Sequence, residues 1–208
     1  MYKVIATGST GNAVLYHDSI LVDCGVPFSA IKRHIMNLQI VLLTHQHGDH
    51  ININTLSRLA FERPALRVGC CEWMLPIIAG VTRNIDVYEI GVEYNYGTFQ
   101  VTPVKLYHDV PNCGYRIFAN GKKIFHATDT AHLDGITAKD YDLYAIEHNY
   151  DEDTILSDIE AIEAFGGFAY QKGAMNSHLS EQQAREFVYR NGKAGSETLR
   201  LHQHGIVI

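Results

Sequence analysis

No apolar run in this chain of 208 residues approaches the roughly 18 residues of a membrane-spanning helix, and Met1-Tyr2-Lys3-Val4 enters a strand-like segment without the basic-then-apolar order of a leader. A cytosolic, membrane-free protein is the expectation. Cysteine is scarce, and Cys24, Cys70, Cys71 and Cys113 lack any zinc-knuckle spacing, while an adjacent pair such as Cys70-Cys71 is poorly suited to a structural disulfide. The four read as small buried hydrophobes. Positive charge is short as well: 17 Lys and Arg face 23 Asp and Glu, a formal net charge of −6. That balance gives no general attraction to phosphate backbones and argues against a protein that coats DNA. Short-period repeats, low-complexity stretches and linkers are missing too. With 46% apolar residues the chain can bury one core of two layered sheets with flanking helices, so residues 1–208 are read as a single domain.

Short apolar segments bounded by Gly, Asn, Asp or Pro fill the first two thirds, and each has the length of a strand: Tyr2–Ala6, Ala13–Tyr16, Ile20–Asp23, Ile40–Leu43, Leu66–Gly69, Asp86–Ile90, Phe99–Leu106, Tyr115–Phe118 and Lys122–His126. Asn120-Gly121 has the composition of a type I′ hairpin turn. Helical patterns interrupt them at Phe28–Met36, Ile51–Phe61, Glu72–Ala79, Thr154–Phe165 and Glu181–Tyr189. Gly166-Gly167 should stop the fourth helix, and Ser180 with Gln183 should cap the fifth. Strands first and helices mixed with strands later suit an α/β or α+β sandwich.

The densest chemistry lies in Thr44-His45-Gln46-His47-Gly48-Asp49-His50, directly behind the apolar run Ile40–Leu43. Side chains two apart on an extended segment point the same way, so His45 and His47 can close on one cation. A turn at Gly48 then lets Asp49 and His50 face a second. Neutral imidazoles and a carboxylate are a zinc donor set, and nothing structural needs four of them at this spacing.

His-x-His-x-Asp-His after a buried strand resembles the signature of the metallo-β-lactamase superfamily. The resemblance implies a four-layer αββα sandwich with a dinuclear site at one edge. His47 stands where the diiron branch of that family carries Glu, which favours Zn2+, with Mn2+ as the alternative. Two later segments resemble further motifs: His108 in His108-Asp109-Val110-Pro111-Asn112-Cys113-Gly114-Tyr115, and Asp129 in Ala127-Thr128-Asp129-Thr130 as the bridging carboxylate. Many true β-lactamases of the family have Cys at that last position, whereas phosphodiesterases and glyoxalase-like hydrolases have Asp. The last third resembles the tRNA 3′-processing endonuclease branch through Glu147-His148, Ser177-His178-Leu179-Ser180 and Leu201-His202. Carried over, Glu147 orients His178, His178 protonates the leaving oxygen, and His202 is the final ligand, with His204 of equal strand parity as its rival. Thr7-Gly8-Ser9-Thr10-Gly11-Asn12 and Asp23-Cys24-Gly25 resemble segments of bacterial single-domain phosphodiesterases and exonucleases. There Asp23 is expected to hydrogen-bond a ligand imidazole rather than bind metal.

The ligand sets so implied are His45, His47, His108 and Asp129 for one divalent ion and Asp49, His50, Asp129 and His202 for the other. The first functional expectation is a phosphodiesterase acting on nucleic-acid ends or on nucleotides, cyclic ones included. In it a metal-bridging hydroxide attacks phosphorus, with Asp49 as ligand and proton acceptor. The stretch between Asp129 and Glu147 is too short for the tRNA-gripping arm of many tRNA-processing relatives. A thioester or lactone hydrolase of the same fold and a non-catalytic metal-binding module are the alternatives, and family analogy alone suggests a homodimer.

Overall fold

The computed structural model describes residues 1–164 and 171–202. It comprises two compact units, Met1–Thr98 and Phe99–Ile208. In the first unit a sheet runs in the order β1 (Tyr2–Ala6), β2 (Ala13–Tyr16), β3 (Ile20–Val22), β4 (Ile40–Leu42), β5 (Arg67–Cys71), β6 (Ile85–Tyr88). The first three pair antiparallel, and β3 to β6 pair parallel. Every residue of β3 and β4 is buried. Burial on both faces is why Ile20-Leu21-Val22 and Ile40-Val41-Leu42 read as unbroken apolar runs instead of alternating. Helix α2 (Ile53–Glu62) follows the histidine-rich segment; Asn52 caps it by accepting the Thr55 N–H at 3.1 Å, and Leu56 and Leu59 turn into the core with Leu21, Val41 and Val68.

The other two helical patterns of this unit form only in part. The spacing predicts a helix over residues 28–36, but α1 covers Phe28–Ile31 and tightens into a 3-10 segment, Lys32–Asn37. The second begins as a 3-10 turn, Glu72–Met74, and continues as α3, Leu75–Ile78. One or two turns are too short to benefit from helix cooperativity, and short pieces of this length are where 3-10 geometry is used. A two-residue strand, β7 (Tyr94–Asn95), lies near the end of the unit.

The second unit carries β8 (Phe99–Tyr107), β9 (Pro111–Ala119), β10 (Lys122–Ala127), β11 (Leu143–Glu147) and β12 (Glu197–Leu201), which lie side by side in the spatial order β12-β11-β10-β9-β8. β8, β9 and β10 are antiparallel neighbours, and β10, β11 and β12 are parallel. At the turn between β9 and β10, Asn120 and Gly121 have φ of 50° and 71°, as a type I′ turn requires. β9 begins four residues earlier than the expected Tyr115, because Pro111 sits at the first strand position, where a missing N–H is tolerated. Helices α4 (Ile155–Ala164), α5 (Gln171–Ser177) and α6 (Glu181–Asn191) follow, α6 with the Ser180/Gln183 capping box that the sequence predicts. Phe165, Gly166-Gly167 and His204 lie outside the described residues. The core of this unit gathers Phe125, Tyr144, Ile146, Leu179 and Phe187.

In both units the parallel strands deliver chemistry at their carboxyl ends, where ligands bind in open α/β sheets. In the first unit the backbone there is tightly stitched: Asn12 N–H donates to Asp49 O at 2.6 Å, Cys24 N–H to His50 O at 3.0 Å and Gly25 N–H to Asn12 O at 3.0 Å. A Cβ at Gly25 would lie 1.8 Å from Asp49 O and 2.1 Å from its carbonyl carbon, so only glycine lets the two backbones meet. Gly25→Ala should therefore cost about 1–3 kcal/mol or more, as overpacking does, and displace Asp49 and His50. Urea unfolding and bound-zinc analysis check this, and wild-type values for both would refute it.

Candidate metal centre

In the first unit the buried Asp23 stands one residue past β3 with φ of 60°, a left-handed conformation that aims its carboxylate across to the end of β4. There it accepts the Thr44 backbone N–H at 3.0 Å, the Thr44 hydroxyl at 2.9 Å and the His50 Nδ1–H at 2.7 Å. The Thr44 oxygen lies 3.0 Å from His45 Nδ1 and can accept its proton while donating its own to Asp23. One carboxylate thus sets the tautomers of two imidazoles and leaves Nε2 of His45 and of His50 with lone pairs. Burial pushes the Asp23 carboxyl above its ordinary range, and the pull of His50 and Thr44 offsets this only in part.

His45 Nε2 and His47 Nδ1 face each other at 3.1 Å. Two nitrogens bound to one tetrahedral zinc with bonds of about 2.05 Å would be about 3.3 Å apart, so the pair fits a shared cation. Asp49 Oδ2 and His50 Nε2 are 3.6 Å apart, and Asn12 Nδ2 lies 3.2 Å from the first and 2.9 Å from the second. The Asn12 amide is oriented by Gly8, whose N–H donates to Asn12 Oδ1 at 2.9 Å. Gly8 and Gly11 around it have φ of 120° and 151°, conformations that glycine adopts without a Cβ penalty.

The second unit assembles its own donor set. His108 opens the tight loop between β8 and β9 and donates Nδ1–H to the Ser177 carbonyl at 2.9 Å, so its other nitrogen carries the lone pair; that Nε2 lies 3.0 Å from Asp109 Oδ1 and 3.8 Å from Asp129 Oδ2. Burial holds the His108 imidazole below its ordinary pKa, which favours the neutral, ligating form. Asp129 follows β10 with φ of 57°. Its backbone carbonyl accepts Asn112 Nδ2 at 2.6 Å, and its Oδ1 accepts the Thr128 hydroxyl at 2.7 Å. His202, one residue past β12 with φ of 47°, brings Nδ1 to 3.2 Å from Asp129 Oδ1.

Glu147 ends β11 between Asp129 and His202 and is 0% exposed. Its Oε1 accepts the backbone N–H groups of Thr130 and Leu179 at 2.6 and 3.1 Å, and its Oε2 accepts His178 Nδ1–H at 2.9 Å. Asp129, Glu147, His178 and His202 are close enough together to cradle one ion. Glu147, however, already accepts the three N–H groups and has His202 Nδ1 3.5 Å from its Oε2, so little of its lone-pair capacity is left for a cation. Burial alone would raise the Glu147 carboxyl, yet the bonds from His178 and His202 outweigh it and the net shift is downward. For His178 burial lowers the pKa, Glu147 raises it, and the result lies above the ordinary imidazole value.

Eight of the nine sequence-derived candidates stand at strand ends or in the loops next to them, His45, His47, Asp49 and His50 together in the first unit and His108, Asp129, Glu147 and His202 in the second, while His178 comes to the second set from the turn between α5 and α6. The supporting residues Thr44, Asn12, Asn112 and Asn149 carried no separate role in the sequence reading. Asn112 lies inside the His108–Tyr115 segment and sits behind the Asp129 loop, and Asn149 places Nδ2 3.2 Å from His202 Nδ1. For Asn112 a polar side chain within a strand was the available signal. The four cysteines are buried, and burial pushes the Cys24 and Cys70 thiols up to about 12, as inert core residues.

Residues 19–193 match the family described as "Beta-lactamase superfamily domain". The protein named Exodeoxyribonuclease WalJ from Streptococcus pneumoniae is 25% identical over 97% of this chain and 79% of its own length. A UPF0173 metal-dependent hydrolase of Thermococcus onnurineus is 32% identical over 62% of each chain. The crystal structure of the metallo-beta-lactamase fold protein YhfI from Bacillus subtilis superposes with a TM-score of 0.74 at 19% identity, covering 100% of this chain and 87% of that one. That likeness shows the fold, an α/β architecture of two mixed sheets with flanking helices. The match over most of the sequence, with the His-x-His-x-Asp-His segment inside it, shows that this chain belongs to the beta-lactamase superfamily domain family.

Proposed function

We propose that this protein is a two-metal phosphodiesterase acting on nucleic-acid ends or nucleotides, with residues 1–208 working as one catalytic domain. The broader class, a metal-dependent hydrolase, is supported by the names of the relatives and by the donor sets of both units. The observation that carries the finer reading is the bond of 2.9 Å between His178 Nδ1 and the wholly buried Glu147 carboxylate. An imidazolium held by a buried carboxylate is a general acid. A phosphodiester with an alkoxide leaving group needs one, whereas a thioester, whose thiolate departs readily, does not.

In this reading His45, His47, His108 and Asp129 hold one divalent ion, and Asp49, His50, Asp129 and His202 the other, with zinc favoured and manganese the alternative. The bound ions would supply an activated water nucleophile and a clamp for the phosphate oxygens. Asp23 keeps the lone pairs of His45 and His50 aimed outward, Asp49 accepts the proton of the attacking water, and His178 delivers a proton from Nε2 to the departing oxygen while Glu147 steadies its charge. Two aspartates leave about two positive charges uncompensated by protein, which suits an anionic diester in a chain whose net charge is −6.

Metal analysis after mild purification is expected to return close to two equivalents per chain, and zero or one in excess zinc or manganese would end the two-metal reading. Asp23→Asn should weaken metal affinity about 10–100-fold, the usual effect of losing a carboxylate behind a ligating imidazole, as competition with a chelator would measure.

His178→Ala should leave metal content unchanged and slow turnover roughly 10²–10⁴-fold on a diester with an alkoxide leaving group, but far less on bis-p-nitrophenyl phosphate, whose leaving group needs little protonation. Glu147→Gln should show the same dependence in milder form. Equal losses on both substrates, or lost metal, would return the thioester or lactone reading.

A further inference from the structure

Beside His108 the second unit has an open cavity of about 470 Å³, lined by Tyr107, His108, Asp109, Gly173 and Ser177 among others. Its size falls within the roughly 300–1,000 Å³ of small-molecule sites. Tyr107, the last residue of β8, is 38% exposed although its ring is large and apolar. Its ring stacks on His132, with centroids 4.2 Å apart and planes 22° from parallel. Lys105, two residues earlier on the same side of β8, holds its ammonium over the Tyr107 ring, 5.3 Å from the centroid, on a flexible stem that an incoming base can displace toward its phosphate. A stacked aromatic pair with a mobile cation over it is the composition of a platform for single-stranded nucleic acid, where bases stack on rings and cations follow the backbone.

The opposite wall supports the same use. Gly173 lies within α5, where glycine is an unfavourable helix residue, yet its φ is not left-handed and a Cβ there would meet nothing within 4 Å. Packing does not require a glycine at this point, and its effect is to keep the cavity open. Tyr107 and His108 both line this one cavity, so a phosphate held beside His108 leaves its attached nucleoside within reach of the ring.

The geometry points to a nucleobase subsite: Tyr107, backed by His132, stacks the unpaired base next to the scissile phosphate, with little preference for base identity. Tyr107 is here a substrate-binding residue, and this inference rests on the nucleic-acid reading of the previous subsection.

The test compares the metal-loaded wild-type protein and Tyr107→Ala on a single-stranded oligodeoxynucleotide and on the same oligonucleotide with tetrahydrofuran abasic residues at both ends. Tyr107→Ala should raise KM for the natural strand roughly 5- to 150-fold with kcat retained, the span of base–aromatic stacking, and leave KM for the abasic strand unchanged. Tyr107→Phe should keep the wild-type KM. Gly173→Leu, which fills the cavity from the helix, should reproduce the base-dependent rise. An equal penalty on both strands, or none on either, overturns the subsite while nuclease activity stands. A wild-type protein that cleaves neither strand overturns the subsite together with the nucleic-acid reading.

Discussion

A buried carboxylate that accepts an imidazole N–H at the carboxyl end of a parallel strand is the interaction on which this structure depends, and each unit carries an example. Asp23 holds His50 at 2.7 Å and Glu147 holds His178 at 2.9 Å. Burying a carboxylate is costly unless its lone pairs are filled, and both are filled by backbone N–H groups and hydroxyl or imidazole donors from neighbouring segments. Neither carboxylate could be removed without leaving several donors unsatisfied in the interior. The same bonds that satisfy the fold therefore fix imidazole tautomers, and a scaffold requirement becomes a chemical one.

The backbone around these carboxylates is correspondingly specialised. Asp23, Asp129 and His202 each follow a parallel strand in the left-handed region, where a non-glycine residue costs of order 1–3 kcal/mol and persists only when its surroundings over-determine it. Each leaves its strand abruptly there, and the side chain turns toward the next strand instead of continuing the alternation of the sheet. The β3 turn is held by the close approach of Gly25 to Asp49, and the Asp129 turn by the Asn112 amide. Strain and restraint lie close together in space, so the fold itself fixes where these side chains point.

Much of this was legible in the sequence, and the reason differs between elements. The parallel strands β3 and β4 stood out because burial on both faces demands continuous Val, Ile and Leu, whereas β11 and β12 lack such runs and were not among the strands expected. The Asn120-Gly121 turn and the Ser180/Gln183 cap stood out because local hydrogen bonding and positive φ restrict which residues can serve. Helices of one or two turns were overextended, since their termini depend on tertiary packing and not on a repeating pattern. β9 was underestimated because Asn112-Cys113-Gly114 has weak strand propensity. Pairing with every residue of β8 from Phe99 to Tyr107 overrides it.

By itself the sequence named candidates: His45, His47, Asp49 and His50 sit within one short segment, where spacing and side-chain parity act locally, and resemblance to a known family added positions 108, 129, 147, 178 and 202. Only the tertiary structure decided which groups those residues are bonded to. The distinction between a carboxylate that can hold a cation and one already saturated by N–H donors depends on Thr130, Leu179 and His178, which come to Glu147 from separate elements. The exposed face of Tyr107, its stack on His132 and the cavity beside Gly173 likewise depend on how β8, the loop after β10 and α5 converge. Hydrogen-bond saturation and ring stacking are properties of three-dimensional neighbours, and no spacing along the chain encodes them.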